Sequence, residues 1–540
     1  MNNNMPNLLN ITRKLALASL LGSALLLQAC GGADGFPDGR VDPFSFNSAT
    51  EVEVNTLVTS DAVTISGIDI PVDISIDGPA GSNAAYSIAG GAFTSSRGKI
   101  EDGQSVRVQA TSPAEEASRT VVTLTIGDRN STFTIATVGS AIPEMISTGN
   151  AFNVRISAAG DGSTIAVFIE GDNVYANRFD GLLWEGPVEL DNSASATATP
   201  DIGTDASGNA VAIWTQDDGA GENTVFSAYY SADTASWSAA EEIATDAGWS
   251  ENAPRVAMSA NGTAVAVWTQ SLTDVTSTVA NVFDGSSWGN AQAIEDSSDT
   301  MTTYSTPQVA MDANGNAVAT WQGAVADDDG FIYVNRYDAT TGWGTHSLVG
   351  GESESFNPVA VFLSGGEALL SWNQFGAFNL VYSSMANAGE NTWSTPAAIG
   401  DTTIITYPAN LQLAADAQGN AMAAYLRNGD QVTATRYLAG SGWQTTETLV
   451  GSTPVPFGEE GVALALDDAG NGLIAFGSDS NIAATTFTVA DTSWSTAEIV
   501  DQSADGAFNP VASAHGASGT IFYAWEQAGA IAFKFTPDNN

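Results

Sequence analysis

Cysteine, histidine and lysine are almost absent from this chain, and each shortage excludes a class of site. Among 540 residues there are one cysteine and two histidines, so we expect neither a disulfide framework nor a Cys/His zinc site. Only 15 residues are basic against 61 acidic ones, which gives a formal net charge of −46. Such a charge repels nucleic acid, and we expect no DNA or RNA partner.

The single cysteine, Cys30, follows a short apolar run at residues 15–27 that Arg13 and Lys14 precede. A charged start, a short apolar core and small residues before a cut are typical of a secretory signal, and the run is too short to span a membrane. The text Leu-Gln-Ala-Cys30 resembles a bacterial lipobox. That resemblance implies cleavage before Cys30 and attachment of acyl chains, palmitate among them, which would hold the protein on a membrane.

We therefore predict a lipoprotein signal peptide at 1–29, a flexible tether at 30–43 and a location in the bacterial cell envelope, on the outer membrane. The alternative is an ordinary signal peptide in which Cys30 is incidental. The envelope partner, protein or glycan, cannot be read from this segment.

Residues 44–138 alternate apolar and polar side chains in short runs that Gly, Pro, Asp and Asn separate, which is typical of strands. The predicted strands lie at 52–57, 62–66, 72–76, 105–110, 121–126 and 131–136. About seven short strands in such a length fit a β-sandwich. The text from Tyr86 to Thr94, with Asp102 to Val106, resembles bacterial immunoglobulin-like surface modules, which implies a spacer; adhesion is the alternative.

From residue 141 onward the chain repeats one unit. An aromatic residue ends a short strand in each copy: Phe168, Trp214, Trp268, Trp321, Trp372, Tyr425, Phe476 and Trp525. Six residues before each aromatic stands a glycine, as in Gly315 before Trp321. The pattern predicts a tight turn between two strands, with glycine at a position of positive φ and the aromatic packed between sheets.

A third strand and a second turn follow in each copy, and that turn carries a tryptophan in seven of them, as at Trp343. Four antiparallel strands per repeat predict the blade of a β-propeller. The last copy stops after three strands, and residues 142–148 resemble the missing fourth. We therefore predict an all-β chain: an immunoglobulin-like sandwich, then an eight-bladed β-propeller at 141–540 closed by an N-terminal outer strand. Seven blades remain the alternative if the first copy is irregular.

The loops between second and third strands differ from copy to copy and lie on one face, where binding is typically grafted. Two of them are acidic, with Asp217 and Asp218 in one and Asp327, Asp328 and Asp329 in the other. Carboxylates on flexible backbone suit calcium, so these residues form a calcium hypothesis; a solvated acidic loop is the alternative. No other cofactor is expected.

Sialidases are propellers that hold a carboxylate with three arginines, so the arginines of this chain bear on whether it resembles them. Arg178, Arg336 and Arg436 share one position on the third strand, away from the axis, which favours salt bridges or stacking on aromatics over one substrate site. The first strands carry mostly small residues toward the axis.

We therefore expect no catalytic residues and no enzyme activity, but a membrane-anchored binding or scaffold protein that displays its propeller to a protein or glycan. The alternatives are a polysaccharide-active hydrolase or lyase that uses acidic residues of the propeller, and a lectin with exposed rings such as Trp249.

Overall fold

The chain divides into two compact units, residues 1–140 and 141–540. The computed structural model describes the following residues: 40–46, 49–114, 119–137, 143–181, 183–191, 200–217, 223–244, 250–272, 275–295, 301–303, 307–325, 330–350, 354–375, 379–400, 409–428, 431–450, 461–478, 480–501, 506–516 and 519–536. Within these ranges all regular structure is β. No helix there has the length and apolar character needed to cross a membrane.

The first unit consists of two packed sheets. Its strands are β1 (Ala49–Val52), β2 (Leu57–Thr59), β3 (Val63–Thr64), β4 (Val72–Asp77), β5 (Ala85–Ile88), β6 (Gly98–Ile100), β7 (Ser105–Thr111), β8 (Arg119–Ile126) and β9 (Arg129–Thr137). One sheet has the order β1-β9-β8-β4-β6, and in the other β7 pairs with β2, β3 and β5. The alternating burial of β7 and β8 places their apolar faces in one shared core.

Tyr86 anchors this core. Its ring is buried, and its hydroxyl donates to the main-chain oxygen of Ser96 at 2.8 Å. The predicted strand at 52–57 is wrong: the chain turns at Asn55, whose φ is 54°, so that β1 and β2 belong to different sheets. Asparagine tolerates this left-handed geometry, which a period-2 pattern does not reveal.

The second unit contains eight antiparallel sheets, numbered here along the chain. One short strand, β10 (Glu144–Met145), precedes them. Sheets 1 to 4 contain β11 (Ala151–Ala158), β12 (Thr164–Glu170), β13 (Asn173–Phe179), β14 (Val188–Glu189); β15 (Asp201–Thr204), β16 (Ala210–Asp217), β17 (Asn223–Ser231), β18 (Ser236–Trp237), β19 (Glu241–Glu242); β20 (Ser250–Met258), β21 (Ala264–Leu272), β22 (Val275–Phe283), β23 (Gln292–Ala293); and β24 (Met301–Thr303), β25 (Gln308–Met311), β26 (Ala317–Val325), β27 (Phe331–Asp338), β28 (Gly342–Trp343), β29 (Ser347–Gly350).

Sheets 5 to 8 repeat the arrangement. They contain β30 (Ser355–Phe362), β31 (Ala368–Gln374), β32 (Leu380–Ala386), β33 (Ala397–Ile399); β34 (Ala409–Ala415), β35 (Ala421–Arg427), β36 (Gln431–Leu438), β37 (Gly442–Trp443), β38 (Glu447–Val450); β39 (Val462–Leu466), β40 (Gly472–Ser478), β41 (Asn481–Thr488), β42 (Ser493–Trp494), β43 (Glu498–Ile499); and β44 (Ala507–Ala514), β45 (Ile521–Gln527), β46 (Ala530–Phe535).

The inner strands of these sheets contact one another in a closed ring: β11, β15, β20, β25, β30, β34, β39, β44 and again β11. This is a β-propeller-like arrangement. The last sheet takes its outer strand from the start of the unit, because β10 pairs antiparallel with β46. Ile146, directly after β10, is 3% exposed; its amide donates to Ile531 and its carbonyl oxygen accepts from Asn177 Nδ2 of sheet 1. The segment therefore links the last sheet to the first.

The repeated turn has the geometry that its residues predict. Asp312 Oδ1 accepts the amides of Asn314 and Asn316 at 2.9 and 2.8 Å, and Asp312 Oδ2 accepts Asn316 Nδ2 at 2.8 Å. Gly315 has a φ of 88°, which a side chain would strain. The Asp312 carboxylate and Gly315 therefore stabilise the turn itself.

The repeated aromatics pack between neighbouring sheets. Trp214, Trp268, Trp321, Trp372 and Trp525 are each 0% exposed. A Trp-x-Gln pattern accompanies four of them, at Trp214, Trp268, Trp372 and Trp525. In three of these, Trp214, Trp372 and Trp525, the indole Nε1 donates to the glutamine two residues later, at 2.9, 3.2 and 2.9 Å. The glutamine satisfies an indole N–H that burial removes from water.

The third-strand arginines stack on aromatic rings of the following sheet. The guanidinium carbon of Arg178 lies 5.5 Å from the ring centre of Tyr230, and Arg178 also pairs with Glu185 at 3.2 Å. Arg336 stacks on Phe362 at 5.5 Å and Arg436 on Phe487 at 4.7 Å. These contacts agree with the stacking that the repeated position indicates, and the three arginines hold sheets together.

Asp191 offers a test of how burial sets the stability of sheet 1. Its Oδ1 accepts the amide of Val174 at 3.2 Å, whereas Oδ2 is buried and has no hydrogen-bond partner among the described residues. Burial raises the pKa of Asp191 from 3.8 to about 6. The folded protein therefore favours the protonated carboxyl: this stabilisation is complete below the unfolded pKa and is lost as pH rises through the folded one.

Asp191→Asn is accordingly expected to raise the free energy of unfolding at pH 8 by about 1–2 kcal/mol, with a smaller gain at pH 5. Urea unfolding at the two pH values measures it, and Asp172→Asn, at an exposed position in the turn between β12 and β13 of the same sheet, is the control. A variant less stable than the parent at pH 8 would refute the burial argument.

Candidate functional site

A polar cavity of about 800 Å³ opens at the centre of the second unit. Its walls come from the inner strands or strand starts of sheet 1 and sheets 3 to 8, together with Glu526 of β45. The cavity begins where the inner strands begin: Phe152 pairs with Ile169, one residue before β12 ends at Glu170. This is the face of the loops between second and third strands. A cavity of this size accommodates a small ligand or part of a polymer.

Four asparagines form the outer tier of the cavity: Asn153, Asn357, Asn410 and Asn509. Each has a positive φ, between 52° and 56°. Each also lies where the pairing of the inner strand with its neighbour shifts by a bulge. A bulge re-aims the side chains that follow it, and asparagine is one of the few residues that tolerates the left-handed backbone required there.

One residue of each sheet occupies an equivalent place on the inner strand, opposite the residue before the repeated aromatic. In sheets 1, 3, 5, 6 and 8 it directly follows a bulge. We call this set the channel ring: Arg155, Asp201, Arg255, Gln308, Val359, Gln412, Ala463 and Val511. All of its members except Asp201 line the cavity. The charged members belong to sheets 1, 2 and 3, and the rest of the ring is neutral.

The charged members of the channel ring, Arg155, Asp201 and Arg255, shift one another's electrostatic environment. Burial lowers the pKa of the Arg155 guanidinium, and the positive charge of Arg255 lowers it further, while Asp201 and Glu526 oppose both effects. Asp201 is engaged elsewhere: its Oδ2 accepts the amide of Val256 at 2.9 Å. The cavity wall thus contains two guanidiniums and one carboxylate.

Glu526 is that carboxylate, and the sheet holds it in place. Its Oε1 accepts the backbone amide of Asn153 at 2.8 Å and Nδ2 of Asn509 at 3.1 Å. It follows Trp525 directly, so the buried indole fixes the strand from which it extends. The acceptor is therefore positioned by two asparagines of the outer tier.

Of the lipid and calcium residues proposed from the sequence, the structure describes only Asp217. Cys30, Asp218, Asp327, Asp328 and Asp329 fall outside the described residues, as does Trp249. Asp217 ends β16 at the loop face and does not line the cavity. Among the described residues, no group of three or more His, Cys, Asp and Glu side chains could hold a metal ion.

The two histidines contact aromatic rings and a main-chain oxygen. His346 lies against Trp321 and Tyr333, with ring centres 6.3 and 5.8 Å away. His515 is 7% exposed, and its Nε2 lies 3.0 Å from the main-chain oxygen of Gly160.

Sequence reasoning missed the cavity, although signals for it were present. Phe-Asn followed by Val or Pro occurs at Phe152, Phe356 and Phe508, in each case at a bulge. The first strands were expected to carry mostly small residues toward the axis, but Arg155 and Arg255 line the cavity just before those small residues.

No known family model matches this chain, and no curated protein does. Solved structures with a similar fold include a PL25 polysaccharide lyase, an ulvan lyase (12% identity, 64% of this chain and 98% of that chain, TM-score 0.42). Others are the GH93 α-L-arabinofuranosidase of Fusarium graminearum (13%, 54% and 96%, TM-score 0.38) and a Hadza microbial sialidase (9%, 91% and 99%, TM-score 0.39).

These neighbours are carbohydrate-active enzymes, and the expectation that the chain is not an enzyme is withdrawn. That expectation drew on the repeated residues alone. The most repeated residues were found to be structural, and the single residue per sheet that faces the axis was overlooked.

Proposed function

We propose that the second unit is a polysaccharide-active enzyme whose active site is the central cavity. The observation that carries the proposal is the composition of the wall: a fixed carboxylate, two guanidiniums and a tier of asparagines surround about 800 Å³. Amide side chains offer both donors and acceptors, which suits a ligand rich in hydroxyl groups. A wall of this kind is a poor site for an apolar ligand.

Glu526 is the proposed acid–base residue. Its hydrogen bonds to Asn153 and Asn509 engage Oε1 and fix the orientation of the carboxyl group. In hydrolysis, a protonated Glu526 gives its proton to the glycosidic oxygen as the bond to the anomeric carbon breaks. Water adds to that carbon, and the proton that the water loses returns to Glu526.

The asparagine and glutamine side chains of the wall, such as Asn357 and Gln412, are proposed to bind sugar hydroxyls. The strained backbone of the asparagines is consistent with such a role, since unusual φ values are retained where position matters.

Release of reducing ends from a panel of extracellular polysaccharides tests the proposal. We expect Glu526→Gln to lower kcat about 100-fold or more without loss of folding. Glu498→Gln, on an exposed outer strand of sheet 7, is the matched control and should retain activity. Unchanged turnover in Glu526→Gln, or no turnover by the parent on any substrate, would contradict the proposal.

The wider architecture is proposed with the site. The second unit is an eight-bladed propeller, which its ring of inner strands and the pairing of β10 with β46 support. The first unit is an immunoglobulin-like spacer, supported by its two-sheet core. Lipid on Cys30 holds the chain on the outer membrane; membrane retention of Cys30→Ala would argue against this anchor.

A further inference from the structure

The arginines of the channel ring lie in a region otherwise short of positive charge. Arg155 and Arg255 come from sheets 1 and 3 and occupy equivalent positions on either side of Asp201. The chain as a whole has a formal charge of −46, yet the cavity wall has two cationic side chains and one anionic one. The cavity is therefore a local exception to the acidic surroundings.

Neither guanidinium forms an ion pair with a carboxylate among the residues that the structure describes. Arg155 donates to the carbonyl oxygen of Val154 at 3.0 Å, and Arg255 to that of Pro254 at 2.9 Å. The ion pairs found among the described residues involve Lys99 and Arg178 instead. Each channel arginine thus donates one hydrogen bond to the main-chain oxygen of the preceding residue.

This arrangement is costly in the absence of a ligand. Partly buried cations lose hydration, and two like charges in one wall repel each other. The nearby carboxylates are held by other groups, Asp201 by the amide of Val256 and Glu526 by Asn153 and Asn509. An anion placed between the guanidiniums would relieve the repulsion, and the planar fork of arginine suits a carboxylate or sulfate.

We infer that Arg155 and Arg255 bind an anionic substituent of the polysaccharide, a uronate carboxylate or a sulfate ester, and so select an anionic over a neutral glycan. The inference rests on the proposed function, since it names the substrate class of the same cavity. The neutral part of the ring, from Gln308 to Val511, then faces the uncharged part of the sugar chain.

The test compares ligands that differ in charge alone. Binding of the full chain is measured by calorimetry for oligogalacturonate against its methyl ester, and for a sulfated oligosaccharide against its desulfated form. We expect at least about tenfold tighter binding of the charged member of one pair, and the pair that shows it identifies the carboxylate or the sulfate. In Arg155→Gln and in Arg255→Gln this preference should fall to about twofold or less.

Arg336→Gln is the matched control, because Arg336 stacks on Phe362 outside the cavity, and it should retain the preference. Equal binding of charged and neutral ligands by the parent overturns the inference even if a channel variant fails to fold. A preference retained in both channel variants overturns it too. If a neutral polysaccharide is still cleaved in a Glu526-dependent way, the proposed function survives that failure; without turnover of any substrate both fail.

Discussion

Replacing Ile146 with aspartate is expected to lower the free energy of unfolding of the second unit by about 4 kcal/mol or more. Ile146 is 3% exposed and packs in the cluster that joins sheets 8 and 1, with Phe168, Phe179 and Phe533. A carboxylate there would be buried without a cation. The damage should spread around the ring, because the same segment bonds to both sheets.

Met145→Asp is the matched control for this prediction. Met145 is the preceding residue, the last of β10, and it is 46% exposed. We expect a change of about 0.5 kcal/mol or less. All 13 tryptophans belong to the second unit, so tryptophan fluorescence during urea unfolding reports on that unit. Equal effects of the two substitutions would show that the segment does not close the ring.

Replacing Trp214 with alanine is expected to cost about 3–5 kcal/mol of stability. The ring is 0% exposed between sheets 1 and 2, stacks on Phe226 at 6.5 Å and donates to Gln216 at 2.9 Å. Its removal would leave a cavity and would abolish the hydrogen bond to Gln216. Both effects act in the same direction.

Trp237→Ala removes a ring of the same size from the second, partly exposed tryptophan position of the same sheet. We expect about half the loss or less, since that ring already contacts solvent. Urea midpoints, with circular dichroism to confirm folding at zero denaturant, compare the two variants. If Trp237→Ala costs as much as Trp214→Ala, the repeated aromatics do not divide into packing and peripheral sets.

The repeated features of the second unit could be predicted from sequence because local chemistry determines them. Asp312, Gly315 and Trp321 each act within one turn or one interface. The glycine and an aromatic residue recur in eight copies and the aspartate in four, which makes the pattern visible. Arg178 and its counterparts could be assigned to stacking for the same reason. A residue that recurs at one position around a ring meets the same neighbours each time.

The site could not be predicted in this way, because it is built from residues that do not repeat. Arg155, Asp201 and Arg255 occupy one ring position on successive sheets, and for the two arginines that position depends on a bulge that shifts the register. A bulge is produced by a single asparagine such as Asn153, which reads in sequence as an ordinary strand residue. The error at Asn55 in the first unit has the same origin.

The pairing of β10 with β46 has a consequence for how the molecule is made. Ser147 accepts a hydrogen bond from Ile531, a residue 384 positions later in the chain. During synthesis the first sheets can assemble as they emerge, but the seam remains open until the last strand is available. Contacts of such long sequence separation form slowly. Ring closure is therefore expected to be the last event of folding, and a chain truncated before β46 would leave an exposed sheet edge that invites aggregation.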